Sequence, residues 1–375
     1  MEERCAQKEG AREESQPTLD FVANLDILRS SAVILVLLDH VLEVAHAKYG
    51  LFKFDTQCAG RLGVLLFFVH TSLVLNFSLA RLGSSGWTLI RTFLVRRAFR
   101  LYPLSIVCVL LVAAFKVPFA PLEGVMPVHS WGLLLSNLAL TTDLTSSPTL
   151  LGPLWTLPVE AQMYVVMPLI FILLGRKRSP RVALGLWLLA AAIAWTQPYI
   201  SKFLTSIDFA PCFVAGIVAY ALSGRYVRRL PGFLWIPFLL AILYGFFIYQ
   251  QAVPEGWGNM PLEWVFCLIL GLAIPLFRDS TAIRVNFVAR RTAQYSYGIY
   301  LFHDIALWVG CVVLRDLPEP LQWVAVLVVL TTMSIGGYHL LEKPTIDLGA
   351  RLTGAKSSAT LDATAVTERE GSGAQ

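Results

Sequence analysis

The chain has 375 residues, 56% of them hydrophobic and 15% charged, with a mean hydropathy of +0.63. Soluble domains carry about 25% charged residues, so this composition excludes a water-soluble enzyme, a disordered protein and a nucleic-acid binder, and it predicts an all-α, polytopic membrane protein. The net charge of +5 is modest; what matters is where the basic residues sit.

Residues 1–20 are polar and charged, with no apolar stretch ahead of a cleavage site, so no removable signal peptide is expected and the segment reads as a disordered cytoplasmic N-terminus. Apolar runs bounded by charge, proline and glycine then predict about ten membrane helices, near 27–45, 60–80, 98–116, 154–174, 182–198, 207–222, 232–250, 261–277, 295–314 and 321–341. The apolar stretch 128–141 is short for a crossing and reads as a re-entrant or interfacial segment. These spans make one membrane domain over residues 21–345. Residues 346–375 are small and polar with little to bury, which predicts a disordered cytoplasmic tail. The six cysteines form no CxxC pair and four fall inside apolar runs, so neither a disulfide framework nor a thiolate metal site is expected.

Basic residues set the orientation. The loops 81–100, 175–181, 223–231 and 278–291 hold sixteen Lys and Arg, whereas the intervening loops hold only Lys48, Lys53, Lys202 and Arg315. Cytoplasmic loops are the basic ones, so both termini are expected in the cytoplasm.

Ionisable groups inside a span are costly, and each is a candidate site residue facing the bundle interior. The first helix carries Arg29 and, eleven residues on, His40; eleven steps of about 100° place both on one stripe, separated by about 16 Å along the axis. His40 reads either as a packing histidine bonded to a neighbouring helix or as a proton acceptor for a hydroxyl group, and Glu43 at i+3 is placed to orient its ring. Arg97 and Arg100, three apart at the entry to the third helix, point the same way and suit phosphates, although arginines there also simply set topology. Glu160 lies more than a turn inside a later helix, so it is paired, protonated or facing water. His70, His303 with Asp304 beside it, and His339 complete the intramembrane set. No GxSxG, P-loop, GxGxxG or HExxH pattern is present.

In order along the chain, these segments resemble the acyltransferase-3 family of bacterial membrane acyltransferases: LDILRSSAVILVLLDH (25–40), GVLLFFVHTSLVL (63–75), RRAFRLYP (96–103), PLWTLPVEAQMYVVMPL (153–169), SYGIYLFH (296–303) and LEKP (341–344). The resemblance covers about residues 20–345. This chain departs from the family pattern at His70, Pro158 and Ala161. The resemblance implies transfer of an acyl group, commonly acetyl, from cytoplasmic acyl-CoA to a hydroxyl of a carbohydrate, glycolipid or secondary metabolite in the cell inner membrane. It further implies Arg29, Arg97 and Arg100 at the acyl-CoA end, His40 as general base, and Glu160 and His303 lining the acceptor side or holding His40, with no metal. Two rival readings remain at this stage: a proton-coupled secondary transporter built from the same His, Asp and Glu residues, and a non-catalytic scaffold.

Overall fold

The computed structural model describes residues 22–50, 57–121, 128, 130–174, 179–200, 204–224, 230–252 and 260–354. The segment 1–20, the loop residues Lys53, Arg176, Lys177, Arg178, Lys202, Arg225, Arg228 and Arg229, and the tail beyond Gly354 lie outside these. The protein is a polytopic all-α membrane protein with no strand among the described residues. Its helices are α1 (Val22–Tyr49), α2 (Gln57–Arg81), α3 (Gly86–Phe115), α4 (Trp131–Leu138), α5 (Thr142–Thr145), α6 (Thr156–Leu174), α7 (Pro180–Ile200), α8 (Ala210–Leu222), α9 (Trp235–Ala252), α10 (Met260–Ala273), α11 (Ile283–Trp308), α12 (Glu319–Gly337) and α13 (Lys343–Leu352).

Each of the ten segments expected to be helical falls on a helix. Among the described residues, six helical stretches are long and apolar enough to cross a membrane: Cys58–Arg81, Gly86–Phe115, Gly152–Leu174, Gly232–Ala252, Ile283–Val313 and Glu319–Leu352. Several helices outrun their apolar cores. α3 has 30 residues, about 45 Å at 1.5 Å per residue, because the arginine-bearing stretch before residue 98 continues the same hydrogen-bonded helix. α4, at eight residues, is about 12 Å long and too short to cross, in keeping with the reading of 128–141. The first seven residues expected in the tail instead complete α13, where Gly349 packs against the Phe99 side chain of α3.

The bundle has a buried centre and a lipid-ready rim. Every residue from Pro211 to Leu222 in α8 is buried, so this helix is sheathed by α2, α7 and α10. Exposed Leu188, Leu189 and Ile193 of α7, Leu240 and Ile248 of α9, and Leu327 and Val328 of α12 form the outward apolar surface that acyl chains cover. Between helices the apolar drive available in water is absent, so close backbone approach carries the packing. A Cβ on Gly216 of α8 would stand 2.5 Å from the Val69 carbonyl oxygen and 2.8 Å from the Leu73 nitrogen of α2, and one on Gly271 of α10 would stand 2.4 Å from the Ala215 oxygen.

The start of α1 is fixed by the loop before α11. The Asp279 carboxylate accepts from the backbone nitrogens of Ala23 (3.2 Å) and Asn24 (2.9 Å), capping the helix as an anion at its positive end. Asn24 returns a side-chain bond to the Arg278 carbonyl (2.9 Å), and Trp235 donates to the Asn24 carbonyl (3.1 Å). Successive contacts then pair Arg29 with Ser296 and His40 with Asp304, so α1 and α11 run side by side in the same direction.

The packing makes a prediction. Gly216→Leu forces backbone apart and should cost about 2 kcal/mol, seen as a lower unfolding temperature in detergent. Gly185→Leu, with nothing within 4 Å of its Cβ, should leave that temperature unchanged.

Candidate active site

Three arginines meet in one cavity. Arg29 of α1 and Arg97 and Arg100 of α3 line it together with Thr156, Glu160 and Tyr164 of α6, His70 and Thr71 of α2, and Ser296, Tyr297 and Tyr300 of α11. The space between these side chains, counted together with the open solvent at its mouth, is about 870 Å³.

Each guanidinium is held by its own partners. Arg29 Nε donates to Ser296 Oγ (2.6 Å), whose hydroxyl donates onward to the Ala293 carbonyl (2.8 Å). Arg97 Nη2 donates to Ser78 Oγ (3.0 Å), and its guanidinium sits over the rings of Phe93 and Tyr164, at 5.4 and 6.0 Å. Its Nε is buried with no hydrogen-bond partner. Arg100 Nη2 stands 4.0 Å from Glu342, which is 2% exposed. A π-helical turn at Tyr338–Glu342 turns that glutamate inward, a local irregularity frequent at functional sites. Glu160 accepts a short hydrogen bond from Tyr164 one turn along α6. Three guanidinium groups therefore face two carboxylates, leaving one positive charge and an unused donor in a low-dielectric chamber.

At its inner end the cavity meets Tyr300, whose hydroxyl pairs with Thr156 Oγ1 (2.7 Å) and donates to the Pro153 carbonyl (3.0 Å). The Tyr300 ring centroid lies 6.0 Å from that of His303, one turn further along α11. There a second cluster begins. His40 Nδ1 is 3.5 Å from Asp304 Oδ1 and 3.5 Å from Glu43 Oε2, His303 Nε2 is 3.4 Å from Asp304 Oδ1, and the two imidazole centroids are 4.8 Å apart. His303 and Asp304 are each 1% exposed, whereas the His40 side chain is 22% exposed. The donor atoms of His40, His303 and Asp304 lie within 4.8 Å of one another, close enough to share a proton or a divalent cation.

The expected site residues thus divide into two groups. Arg29, Arg97 and Arg100 line one cavity, with Glu160 among them rather than beside His40: it projects from the second turn of α6 into the arginine cavity. His40 and His303 join in the inner cluster, and His70 lines the cavity wall. His339 lies outside both, its ring 5.0 Å from that of Tyr338 and 3.3 Å from the Tyr295 hydroxyl. Gln162 points away from the arginines and ties α6 to Asp143 (3.2 Å) and to Ser206. Sequence reasoning passed over Ser296, Tyr300 and Glu342 as site residues and gave Asp304 no role beyond its place beside His303. The available signals were the Ser296, Tyr300, His303 spacing of three and four on one helix, and a second acid immediately after an intramembrane histidine.

A paired-charge test follows. Arg100→Ala strands the buried Glu342 carboxylate and should cost about 2 kcal/mol, a figure already reduced because the guanidinium is 31% exposed. Adding Glu342→Gln should restore more than half of the loss, measured by unfolding in detergent; independent, additive losses would show that the pair does not interact.

The comparisons with known proteins bear on this geometry. A family model of the acyltransferase-3 group, described as an acyltransferase domain, matches residues 22–339. The chain is 25% identical over 362 residues to "Peptidoglycan O-acetyltransferase OatA" of Listeria monocytogenes, covering 86% of this chain and 56% of that protein. It is 24% identical over 373 residues to "Nodulation protein 10" of Rhizobium leguminosarum bv. viciae, covering 89% of this chain and 96% of that one. The chain therefore spans about half the length of the Listeria relative. No solved structure matches it.

Proposed function

The chain belongs to the acyltransferase-3 family, and from that premise we propose that it is a membrane O-acyltransferase moving an acetyl group from cytoplasmic acetyl-CoA to a hydroxyl of a carbohydrate-containing acceptor. The observation that carries the reading is the arginine cavity. It gathers three guanidinium groups against two carboxylates inside an apolar bundle, and such a chamber suits a polyanion with forked phosphate oxygens. A transporter moving a small neutral solute has no use for that surplus.

In this reading the phosphates of CoA dock at Arg97 and Arg100, with Arg29 at the same mouth, and the thioester extends past Tyr300 toward His40. His40 accepts the proton of the acceptor hydroxyl as the new C–O bond forms on the acyl carbon. The C–S bond breaks, the CoA thiolate leaves, and the proton taken by His40 returns to that sulfur, so the products are an ester and CoA thiol. The name of the Listeria relative supports acetyl as the group and a sugar polymer as the acceptor class. The basic loops support both termini on the cytoplasmic side, with the arginine cavity in the cytoplasmic half. The bacterial relatives support the inner membrane as the location.

Two variants separate the halves of this mechanism. Arg97→Ala with Arg100→Ala should abolish saturable acetyl-CoA binding by protein purified in detergent, and a 3′-dephosphorylated donor should be less affected. His40→Ala should retain that binding while thiol release from acetyl-CoA falls by about 100-fold or more, the scale of a lost general base. A folded wild-type protein that binds neither acetyl-CoA nor longer acyl-CoAs would move the assignment to the transporter reading, and full turnover by His40→Ala would reject the base.

A further inference from the structure

We propose that Asp304 is the positioning residue of the transfer reaction: a buried carboxylate that fixes the His40 imidazole from one side while His303 lies on the other. The inference rests on the acyltransferase reading and deepens it, because Asp304 is assigned no role by the motifs that carry that reading.

The case begins with hydrogen-bond bookkeeping. His303 Nδ1 lies 2.7 Å from the Tyr300 carbonyl oxygen and 3.3 Å from that of Ile299. A carbonyl only accepts, so Nδ1 carries the proton and Nε2 faces Asp304 Oδ1 at 3.4 Å. A bare lone pair opposite a buried carboxylate is repulsive. The donor that Asp304 Oδ1 faces is therefore His40 Nδ1, at 3.5 Å. Both Asp304 oxygens, His303 Nε2 and His40 Nδ1 are buried and lack a fully formed hydrogen bond. Three of these atoms, His40 Nδ1, His303 Nε2 and Asp304 Oδ1, converge on one point, and leaving them unsatisfied is expensive in a low-dielectric interior. A divalent cation held by one buried carboxylate would leave the cluster with excess positive charge in a low-dielectric interior, which disfavours a metal there.

Asp304 also settles which nitrogen of His40 is available. Its carboxylate lies on the Nδ1 side, so Nδ1 donates and Nε2 keeps the lone pair that accepts the hydroxyl proton. This is the orienting logic of acid–histidine pairs in general. Glu43 stands at the same 3.5 Å from Nδ1, but its side chain is 44% exposed against 1% for Asp304. Water screens Glu43 and leaves the pull of Asp304 intact. Gly152, in the turn that leads into α6, lies beside the carboxylate: a Cβ there would make ordinary contact with Asp304 Oδ2 at 3.6 Å.

The test measures thiol release from acetyl-CoA, with water as acceptor when no sugar is supplied, alongside acetyl-CoA binding. Asp304→Asn should lower kcat by about 30-fold or more while the Kd for acetyl-CoA stays within twofold, and Asp304→Glu should recover part of the rate. Glu43→Gln should cost less than about threefold. In the His40→Ala background, Asp304→Asn should cost no more than about twofold, because a residue acting through His40 has nothing left to position. An equal loss in both backgrounds would mean a merely structural carboxylate and overturn the proposal. So would one equivalent of zinc or another divalent metal in the purified protein, by elemental analysis, lost on Asp304→Asn. Wild-type protein that neither binds acetyl-CoA nor releases thiol would instead overturn the acyltransferase reading itself, and this inference with it.

Discussion

Holding three half-buried guanidinium groups in one cavity of an apolar bundle is the constraint from which the rest of this structure follows. An unpaired arginine at membrane depth is prohibitive, so each of Arg29, Arg97 and Arg100 has a hydroxyl, an aromatic face or a carboxylate drawn from a different helix. Ser296 comes from α11, Ser78 from α2, Tyr164 from α6 and Glu342 from the π-helical turn after α12. Satisfying three charges therefore fixes the relative placement of five helices. The supply of carboxylates stops one short. That shortfall is the feature on which the proposed anion site rests.

The two chemical centres share one structural axis. α1 contributes Arg29 to the cavity and His40 to the inner cluster, and α11 contributes Ser296 to the first and His303 with Asp304 to the second. Because the two helices run in the same direction, anchored where Asp279 caps α1, the register of one contact sets the register of the other. Tyr300 stands between the centres, bonded to Thr156 and to the Pro153 carbonyl. Arg29 and His40 are thus held at a spacing set by helix geometry, about 16 Å along α1, and the proposed donor, whose phosphates and reactive carbon lie far apart, matches that span.

The sequence shows the helical segments and the arginine cavity well, because both leave local signatures. Apolar runs mark the segments, and the spacings of eleven between Arg29 and His40 and three between Arg97 and Arg100 mark shared faces. It shows helix ends poorly: hydropathy registers only the lipid-facing core, so the polar first turns of α3 and α11 and the whole of α13 are invisible to it. Partnerships between helices are harder still. Nothing local in residues 296–304 says that Ser296 meets Arg29 while Asp304 meets His40, and Glu160 reads equally well as a partner for either centre until the turn at Gly152–Trp155 fixes the direction of α6. Asp304 was in plain view beside His303, but an acid next to a histidine on a helix points about 100° away from it. Only the position of α1 shows that both side chains close on the same point.

The most direct check on this account is a cryo-electron microscopy map of the wild-type protein in nanodiscs with saturating acetyl-CoA. The account predicts phosphate density between Arg97 and Arg100, the pantetheine arm running past Tyr300, and the thioester within reach of His40 Nε2. Acetyl-CoA bound elsewhere, or an arginine cavity that stays closed around its own carboxylates at saturation, would contradict it.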